Sequence, residues 1–248
     1  MVDTQLTLFF SIYSLVNMTD SRASFKPKAI IFDLLTGLLD SWTIWEVSTP
    51  SGTSAEGLKW RKQYLDVTYG STVYGPGSTY EELVSRAAAE SGLPPSSPEA
   101  LLKNWKDLKA WPEVGQVLRE LRKKGYLLGI VTNCSRELGH AAVRSAERAA
   151  EEAEGEAEGS WKFDAAVTAE ETGWYKPALE AYHGILPLLG DVKPEEVLFV
   201  AGSAGDVVGA SKAGFRVVWN NHVGLERKGD VLPLREGKNL DEALREFL

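Results

Sequence analysis

The sequence predicts an α/β protein: a three-layer core with a parallel sheet, interrupted by a small helical insertion. Short apolar runs that end on polar residues alternate with segments of helical spacing, which is typical of a parallel sheet covered by helices. Residues 40–110 lack such runs and show only helical patterns. The 248 residues are enough for a core of this kind and a smaller appendage.

The first predicted strand is an apolar run that ends abruptly on Asp33. It reads Ala-Ile-Ile-Phe over residues 29–32, and a continuous apolar run this short indicates a strand buried on both faces, as in parallel sheets. Ligands of open α/β sheets bind beyond the carboxyl ends of the strands, where Asp33 is expected. A carboxylate at this edge can act as a nucleophile, although it can equally cap a turn or a helix.

A helical cap is predicted between this strand and the rest of the core. Residues 58–67 and 80–89 place apolar side chains three and four positions apart, which indicates amphipathic helices. Clusters of Gly, Ser, Thr and Pro separate them. We therefore expect an N-terminal extension, a cap and a core formed from two stretches of chain, with the respective boundaries 1–27, 41–110, and 28–40 with 111–248.

The remainder of the chain alternates between helices and strands, as a parallel core requires. One segment, residues 146–159, interrupts the alternation because it consists mainly of Ala and Glu. Its acidity and low complexity predict an exposed or partly disordered stretch. The predicted strands lie at 127–131, 163–168, 197–200 and 216–219, and the predicted helices at 112–124, 178–189 and 207–213.

Charge and composition argue against several kinds of partner. The formal net charge of −8 at pH 7 disfavours nucleic acid and an anionic membrane surface. The single cysteine excludes an internal disulfide and suits a reducing cytoplasm, and the three histidines lack the spacing of a zinc site. Residues 6–16 are strongly apolar but too short to span a membrane, so we expect them to cover the core or a second subunit of a homodimer.

Four polar clusters lie at predicted strand ends or in adjacent loops: Asp33; Thr132 with Asn133; Lys176; and Ser203 with Asp206. Their order resembles that of the motifs of the haloacid dehalogenase superfamily, whose members share a Rossmann-like core, an inserted cap and an aspartate nucleophile. The resemblance covers residues 28–221 and is greatest to the L-2-haloacid dehalogenase branch. Arg61 resembles that branch's cap arginine, and Tyr182 its tyrosine on the helix after the lysine.

The resemblance implies a hydrolase that acts on a small 2-substituted carboxylic acid through a covalent ester. Asp33 would attack carbon, Lys176 would keep Asp33 ionised, and Asp206 would activate the hydrolytic water with help from Ser203. No metal or other cofactor is implied. The expected substrate-binding residues are Arg61 and Asn133 for the departing anion, Thr132 and the backbone N–H groups near Leu34 and Leu35 for the substrate carboxylate, and Tyr182.

Several of these side chains also have a purely structural interpretation. Lys176 could be an exposed loop lysine, and Arg61 a surface arginine on a helix. Asp206 could merely cap the helix that follows it. Tyr182 could be a core aromatic.

Three other functions stay open. A magnesium-dependent phosphatase of the same superfamily would use Asp33 and Asp206 as metal ligands, but such enzymes normally carry a second aspartate where this chain has Leu35, which cannot transfer protons. Members resembling the branch can also open a strained ring, as in azetidine-2-carboxylate hydrolysis. A non-catalytic binding protein is suggested by two departures from the branch: Thr-Gly at 36–37 where it has Gly-Thr, and Ala-Gly-Ser at 201–203 where it has Ser-Ser-Asn.

Overall fold

The computed structural model describes residues 25–73 and 78–248, and in this part of the chain six strands form one parallel sheet. Their order is β3-β2-β1-β4-β5-β6, and every neighbouring pair is parallel. The predicted α/β fold is confirmed, whereas the predicted N-terminal extension lies almost wholly outside the described residues. The strands are β1 (Ala29–Phe32), β2 (Leu127–Thr132), β3 (Ala165–Thr168), β4 (Val197–Ala201), β5 (Arg216–Asn220) and β6 (Arg235–Gly237).

In the described part of residues 41–110, where the cap was predicted, the chain forms four α-helices; the status of this region as a separate domain stays a prediction. These helices are α1 (Ser41–Val47), α2 (Ser54–Val73), α3 (Tyr80–Glu90) and α4 (Ser96–Asn104), followed by a 3₁₀ turn at Trp105–Asp107. The later helices are α5 (Val114–Lys123), α6 (Arg136–Glu152), α7 (Ala169–Thr172), α8 (Leu179–His183), α9 (Ala204–Lys212) and α10 (Leu240–Ala243), with 3₁₀ turns at Leu186–Leu189 and Pro194–Glu196. Among the described residues, no helix has the length and apolar content needed to cross a bilayer.

The sheet is buried on both faces, and β1 shows why. Its side chains point alternately to the two faces: Ile30 and Phe32 belong to one apolar cluster, and Ala29 and Ile31 to the other. The chain order runs outward from β1 through β2 to β3, and from β4 through β5 to β6 on the other side. The carboxyl ends of β1 and β4 therefore form the switch point at which ligands bind in such sheets.

One strand was missed, and two predicted helices need correction. The short edge strand β6 was not predicted, because three residues are too few to show a pattern. The predicted helix at 178–189 stops at His183, and a 3₁₀ turn follows at Leu186. Helix α9 begins at Ala204 rather than at 207, because the Ser203 side chain accepts a hydrogen bond from Asp206 N and so caps the helix.

The prediction for the acidic segment 146–159 is right for its second part and wrong for its first. Residues from 152 onward are exposed, whereas the preceding residues continue α6, and Glu147 and Glu151 are buried. The Glu151 carboxylate accepts hydrogen bonds from the backbone N–H groups of Gly159 (2.8 Å) and Trp161 (3.3 Å). It therefore ties the loop after α6 to the helix, a role that composition alone does not reveal.

Replacing Glu151 with alanine is expected to destabilise the protein by about 1–3 kcal/mol, because two backbone N–H groups lose their acceptor. Glu151→Gln keeps a carbonyl acceptor and should lose less. Urea unfolding followed by circular dichroism measures both changes. Equal free energies of unfolding for Glu151→Ala and the unchanged protein would contradict this role.

Candidate active site

The ends of the central strands bring the predicted polar clusters to one cavity of about 360 Å³. Asp33 follows β1, and its backbone N–H donates to Val200 O of β4 at 3.0 Å. Lys176 comes from the loop between α7 and α8, and Asp206 from the first turn of α9. Of the predicted site residues, those lining the cavity are Asp33, Leu35, Arg61, Thr132, Asn133, Lys176, Tyr182, Ser203 and Asp206.

A buried ammonium lies between two buried carboxylates at the centre of this cavity. Lys176 Nζ donates to Asp33 Oδ1 at 2.7 Å and to Asp206 Oδ2 at 3.1 Å. The exposed fractions of these three residues are 5%, 7% and 6%. Buried charges are stable only when paired and hydrogen-bonded. Lys176 is therefore not the exposed loop lysine of the alternative interpretation.

The two carboxylates titrate differently because their surroundings differ. Burial alone would raise the pKa of Asp33, but the Lys176 ammonium and the hydrogen bonds to Asp33 hold its pKa below the ordinary value. Burial raises the pKa of Asp206 above its ordinary value, although Lys176 opposes the rise, and the charge of Asp33 adds to it. Burial would lower the pKa of Lys176, but the two carboxylates raise it. As the pH falls, Asp206 therefore takes up a proton before Asp33 does.

The loop after β1 orients Asp33. Thr36 Oγ1 donates to Asp33 Oδ2 at 2.8 Å, so a threonine contacts this carboxylate although the order at 36–37 departs from the branch. The Gly37 carbonyl accepts from Asn220 Nδ2 at 2.9 Å, and Asn220 is fully buried at the end of β5. Sequence reasoning missed Asn220, yet a polar residue at a strand end is the same signal that indicated Asp33.

Gly202, directly after β4, allows a close approach to this loop. A Cβ atom at this position would lie 2.5 Å from Asp33 Oδ2, 2.5 Å from Thr36 Oγ1 and 2.3 Å from Gly37 N. Real carbon atoms do not come so near, so only glycine leaves the Asp33 carboxylate in place. The L-2-haloacid dehalogenase branch has serine at position 202. This chain has glycine there, at the point where its backbone packs tightly against Asp33.

Asn133 fixes the backbone of Lys176. Its Oδ1 accepts from Lys176 N at 2.7 Å, and its Nδ2 donates to Lys176 O at 3.1 Å. Because one N–H of the Asn133 amide donates to Lys176 O, only its second N–H could contact a departing anion. This contact stays a prediction. Thr132 is buried at the end of β2, where its Oγ1 lies 3.5 Å from Cys134 Sγ.

Arg61 reaches the cavity from α2 and is buried rather than a surface arginine. Its guanidinium carbon lies 4.4 Å from the centre of the Trp42 ring, and its Nη1 donates to Ser41 Oγ at 2.8 Å. Burial lowers the pKa of Arg61 from its ordinary value, but a guanidinium remains charged in proteins. It can therefore present positive charge to an anion beside Asp33.

Two side chains orient the Asp206 carboxylate. Tyr182 Oη donates to Asp206 Oδ1 at 2.7 Å, and Ser203 Oγ donates to Asp206 Oδ2 at 3.3 Å. Tyr182 is fully buried against the rings of Phe199 and Phe215. It is therefore both a core aromatic and a part of the site.

The structure distinguishes the two leucines that were predicted to supply backbone donors. Leu35 lines the cavity, whereas the Leu34 side chain lies in the apolar core and outside the cavity lining. That the backbone N–H groups near Leu34 and Leu35 bind the substrate carboxylate stays a prediction. Sequence reasoning missed several lining residues, because only folding brings them near Asp33: Tyr64 of α2, and 225–228 of the loop after β5.

The side chains at this cavity fit a magnesium ion poorly. The Lys176 ammonium already lies between Asp33 and Asp206, and Leu35 offers no side-chain oxygen. Within the described ranges, no group of three or more His, Cys, Asp or Glu residues is placed to hold a metal ion. The donor set suits an ammonium between the two carboxylates better than a hard cation, which prefers about six oxygen ligands.

The sheet order and the site at its switch point define a class: Rossmann-like α/β proteins with a lysine-paired aspartate after the central strand. The family described as "Haloacid dehalogenase-like hydrolase" matches residues 30–220 of the sequence. The chain therefore belongs to this family of hydrolases, and the predicted superfamily is confirmed.

Individual relatives agree with this assignment. The chain is 27% identical over 225 residues to (S)-2-haloacid dehalogenase 4A of Burkholderia cepacia, a match that covers 86% of this chain and 90% of that protein. It is 29% identical over 217 residues to (S)-2-haloacid dehalogenase 1 of Pseudomonas sp. (strain CBS-3), covering 84% and 90%. The crystal structure of an L-2-haloacid dehalogenase is similar with a TM-score of 0.74 and 27% identity, covering 89% of this chain and 98% of that one.

Proposed function

We propose that this chain hydrolyses a 2-haloacid at the carbon–halogen bond through an ester on Asp33. The observation that carries the proposal is the 2.7 Å hydrogen bond from Lys176 Nζ to Asp33 Oδ1 inside the cavity. Because the buried ammonium favours the ionised carboxylate, Asp33 is ready to attack at neutral pH. The similar (S)-2-haloacid dehalogenases support this choice of substrate.

In the first step, an Asp33 carboxylate oxygen attacks C2 of the substrate, and the halide leaves with the electron pair of the carbon–halogen bond. Attack from the side opposite to the halide inverts the configuration at C2. Arg61 is the buried cation from the α2 side that can stabilise the departing halide. Thr132 and the backbone near Leu35 would hold the substrate carboxylate.

In the second step, water hydrolyses the ester. Asp206 accepts a proton from the water, whose oxygen attacks the Asp33 carbonyl carbon. The bond from that carbon to the substrate oxygen breaks, and the proton held by Asp206 passes to that oxygen. The released 2-hydroxy acid therefore carries an oxygen that came from Asp33, and the regenerated Asp33 carboxyl group loses the second proton of the water to solvent. Burial raises the pKa of Asp206, which makes this carboxylate a stronger base toward the water. Tyr182 and Ser203 hold the base in position.

Halide release tests this proposal. The protein in EDTA should release chloride from (S)-2-chloropropionate and form (R)-lactate, while the (R)-enantiomer should react far more slowly. Product analysis with azetidine-2-carboxylate, and phosphate release from an aryl phosphate with and without magnesium, examine the ring-opening and phosphatase alternatives. Magnesium-dependent phosphate release without any halide release from haloacids would overturn the proposal.

Tyr182→Phe is expected to shift the acid limb of the kcat profile to higher pH, because Asp206 acts in the step that hydrolyses the ester. The hydrogen bond from Tyr182 stabilises the ionised form of Asp206. Without that bond, the pKa of Asp206, which burial already raises, should rise further. A smaller fraction of Asp206 is then ionised at each pH on that limb. The profile is measured by chloride release from (S)-2-chloropropionate; an unmoved limb would show that another group controls it.

Gly202→Ala is expected to lower kcat/KM by about 10²-fold, because the new methyl group displaces the Asp33 carboxylate. Thermal unfolding followed by circular dichroism shows whether the variant is folded. A folded variant with activity close to that of the unchanged protein would mean that the position of Asp33 is not critical.

A further inference from the structure

Two side chains from distant parts of the chain hold the loop that carries Asp33. Thr36 O accepts a hydrogen bond from Trp111 Nε1 at 3.2 Å, and Gly37 O accepts one from Asn220 Nδ2 at 2.9 Å. A peptide group is planar, so a side chain that holds its carbonyl also fixes the direction of its N–H group. The two consecutive peptide groups that begin at Thr36 and Gly37 are therefore held from outside the loop.

Thr36 is the link between this support and the carboxylate. Its Oγ1 donates to Asp33 Oδ2 at 2.8 Å, while Lys176 Nζ donates to the other oxygen, Oδ1, at 2.7 Å. The direction of the Thr36 hydroxyl depends on the backbone of the same residue, whose carbonyl Trp111 holds. A shift of that backbone would therefore release or rotate one oxygen of the Asp33 carboxylate.

The backbone of Trp111 binds the same segment of chain as its side chain does. Trp111 N donates to Leu38 O at 3.0 Å, and the preceding residue, Ala110, forms an antiparallel bridge with Leu39. The Cα atom of Trp111 is thus fixed beside the loop, and only a change of rotamer takes the indole away from Thr36. The residue is half-buried, so burial alone does not hold that rotamer.

A stacked histidine ring orients the indole. The ring centroids of Trp111 and His222 are 3.7 Å apart, and the angle between the ring planes is 17°. Stacking of this kind favours one orientation of both rings. His222 follows Asn220 by two residues, so the end of β5 supports the Asp33 loop twice: Asn220 contacts the loop directly, and His222 acts through Trp111.

Neither Trp111 nor His222 lines the cavity at Asp33. We propose that Trp111, oriented by His222, is a positioning residue that sets the Asp33 carboxylate for attack by holding Thr36 O. The inference rests on the proposed function, since an effect on rate requires that Asp33 attacks C2. Attack needs the carboxylate oxygen close to C2 and in line with the departing halide, so a small displacement of Asp33 slows the reaction more than it weakens substrate binding.

Trp111→Phe tests this role, because Phe keeps a ring that can stack on His222 but has no N–H for Thr36 O. Single-turnover chloride release from (S)-2-chloropropionate, with protein in excess, gives the rate constant of ester formation separately from the concentration that half-saturates it. We expect the rate constant to fall by about tenfold and the half-saturating concentration to stay within about twofold. An unchanged rate constant in the folded variant, or a loss confined to the half-saturating concentration, would overturn the proposal.

Trp105→Phe is the matched control. Trp105 lies in the 3₁₀ turn after α4 and outside the cavity lining, and its Nε1 donates to a backbone carbonyl, Leu138 O, at 2.8 Å. The control therefore loses the same kind of hydrogen bond and should lose stability, but it should keep the original rate constant. A rate constant that falls equally in both variants would make the effect of Trp111→Phe a general consequence of destabilisation and would overturn the proposal.

Variants of His222 test the stack, and they serve if Trp111→Phe does not fold. His222→Ala should lower the rate constant of ester formation by about fivefold, because the indole then holds Thr36 O for a smaller fraction of the time. His222→Phe keeps a flat ring and should restore most of the rate. Equal rate constants for the folded Ala and Phe variants would overturn the role of His222.

A titration separates this inference from the proposed reaction if the unchanged protein releases no chloride. Carbon-13 NMR follows the aspartate carboxyl groups, and the Asp33 signal is the one that Asp33→Asn lacks. Because the hydrogen bond from Thr36 helps to hold the pKa of Asp33 down, this pKa should be higher in Trp111→Phe than in the unchanged protein. Both proteins keep the same charged groups around the carboxylate: Lys176, Arg61 and Asp206.

The titration has two outcomes in that case. A higher pKa of Asp33 in Trp111→Phe supports the positioning role while the proposed reaction fails. An equal pKa overturns both. Where the unchanged protein does release chloride, an unaltered rate constant in Trp111→Phe overturns the positioning role alone.

Discussion

Asp33→Asn is expected to abolish halide release, with a loss of about 10⁴-fold or more in kcat. An amide oxygen is a poor nucleophile, and Asn cannot form the ester through which the proposed reaction proceeds. The variant should stay folded, because Asn keeps the shape of the side chain and Lys176 keeps its contact with Asp206 at 3.1 Å. Chloride release from (S)-2-chloropropionate measures the loss.

The control for this variant is Asp230→Asn, at an exposed position in the loop after β5. It makes the same chemical change at a residue outside the cavity lining and should retain the original rate. Mass analysis of the Asp33→Asn preparation must show that the new amide has not hydrolysed back to aspartate. A near-normal rate in such a preparation would remove Asp33 from the mechanism.

Lys176→Met is expected to lower kcat/KM by about 10²–10³-fold and to destabilise the protein by about 3–5 kcal/mol. Without the ammonium, two buried carboxylates face each other with no cation between them. The pKa of Asp33 should then rise, because its largest stabilising partner is lost while burial persists. The acid limb of the activity profile should therefore move to higher pH.

Urea unfolding and the pH dependence of chloride release measure the two effects. Lys103→Met, an exposed lysine on the last turn of α4, is the matched control. If Lys176→Met kept the original acid limb, the lysine would not be what holds the pKa of Asp33 down. Loss of stability with an unmoved limb would assign Lys176 a structural role alone.

The sequence was sufficient to predict what depends on local patterns. Buried parallel strands have continuous apolar runs, so the strand that ends at Asp33 and the four that follow could be found within a residue or two. Polar residues at the ends of those runs had to meet at one edge of the sheet. That geometric rule placed Asp33 and Asp206 at one edge of the sheet before any distance was known, and the resemblance to the family placed Lys176 beside Asp33.

The rest depends on long-range contacts that no local pattern records. The stacking of Arg61 on Trp42 requires α1 and α2 to lie side by side. The burial of Glu151 depends on backbone N–H groups that a later loop brings to it. The hydrogen bond from Asn220 to Gly37 joins residues far apart in the chain. None of these three contacts follows from the residue types or from their neighbours in the sequence, because only the tertiary fold brings the partners together.

Oxygen-18 labelling tests most directly whether Asp33 is the nucleophile. The protein turns over (S)-2-chloropropionate many times in H₂¹⁸O, and mass spectrometry then measures the peptide that contains Asp33. If an ester forms and water attacks its carbonyl carbon, heavy oxygen enters the Asp33 carboxylate, and the product of a first, single turnover carries light oxygen from the protein. Lactate that carries heavy oxygen from the first turnover, with an unlabelled Asp33, would mean that water attacks C2 directly and would contradict the account.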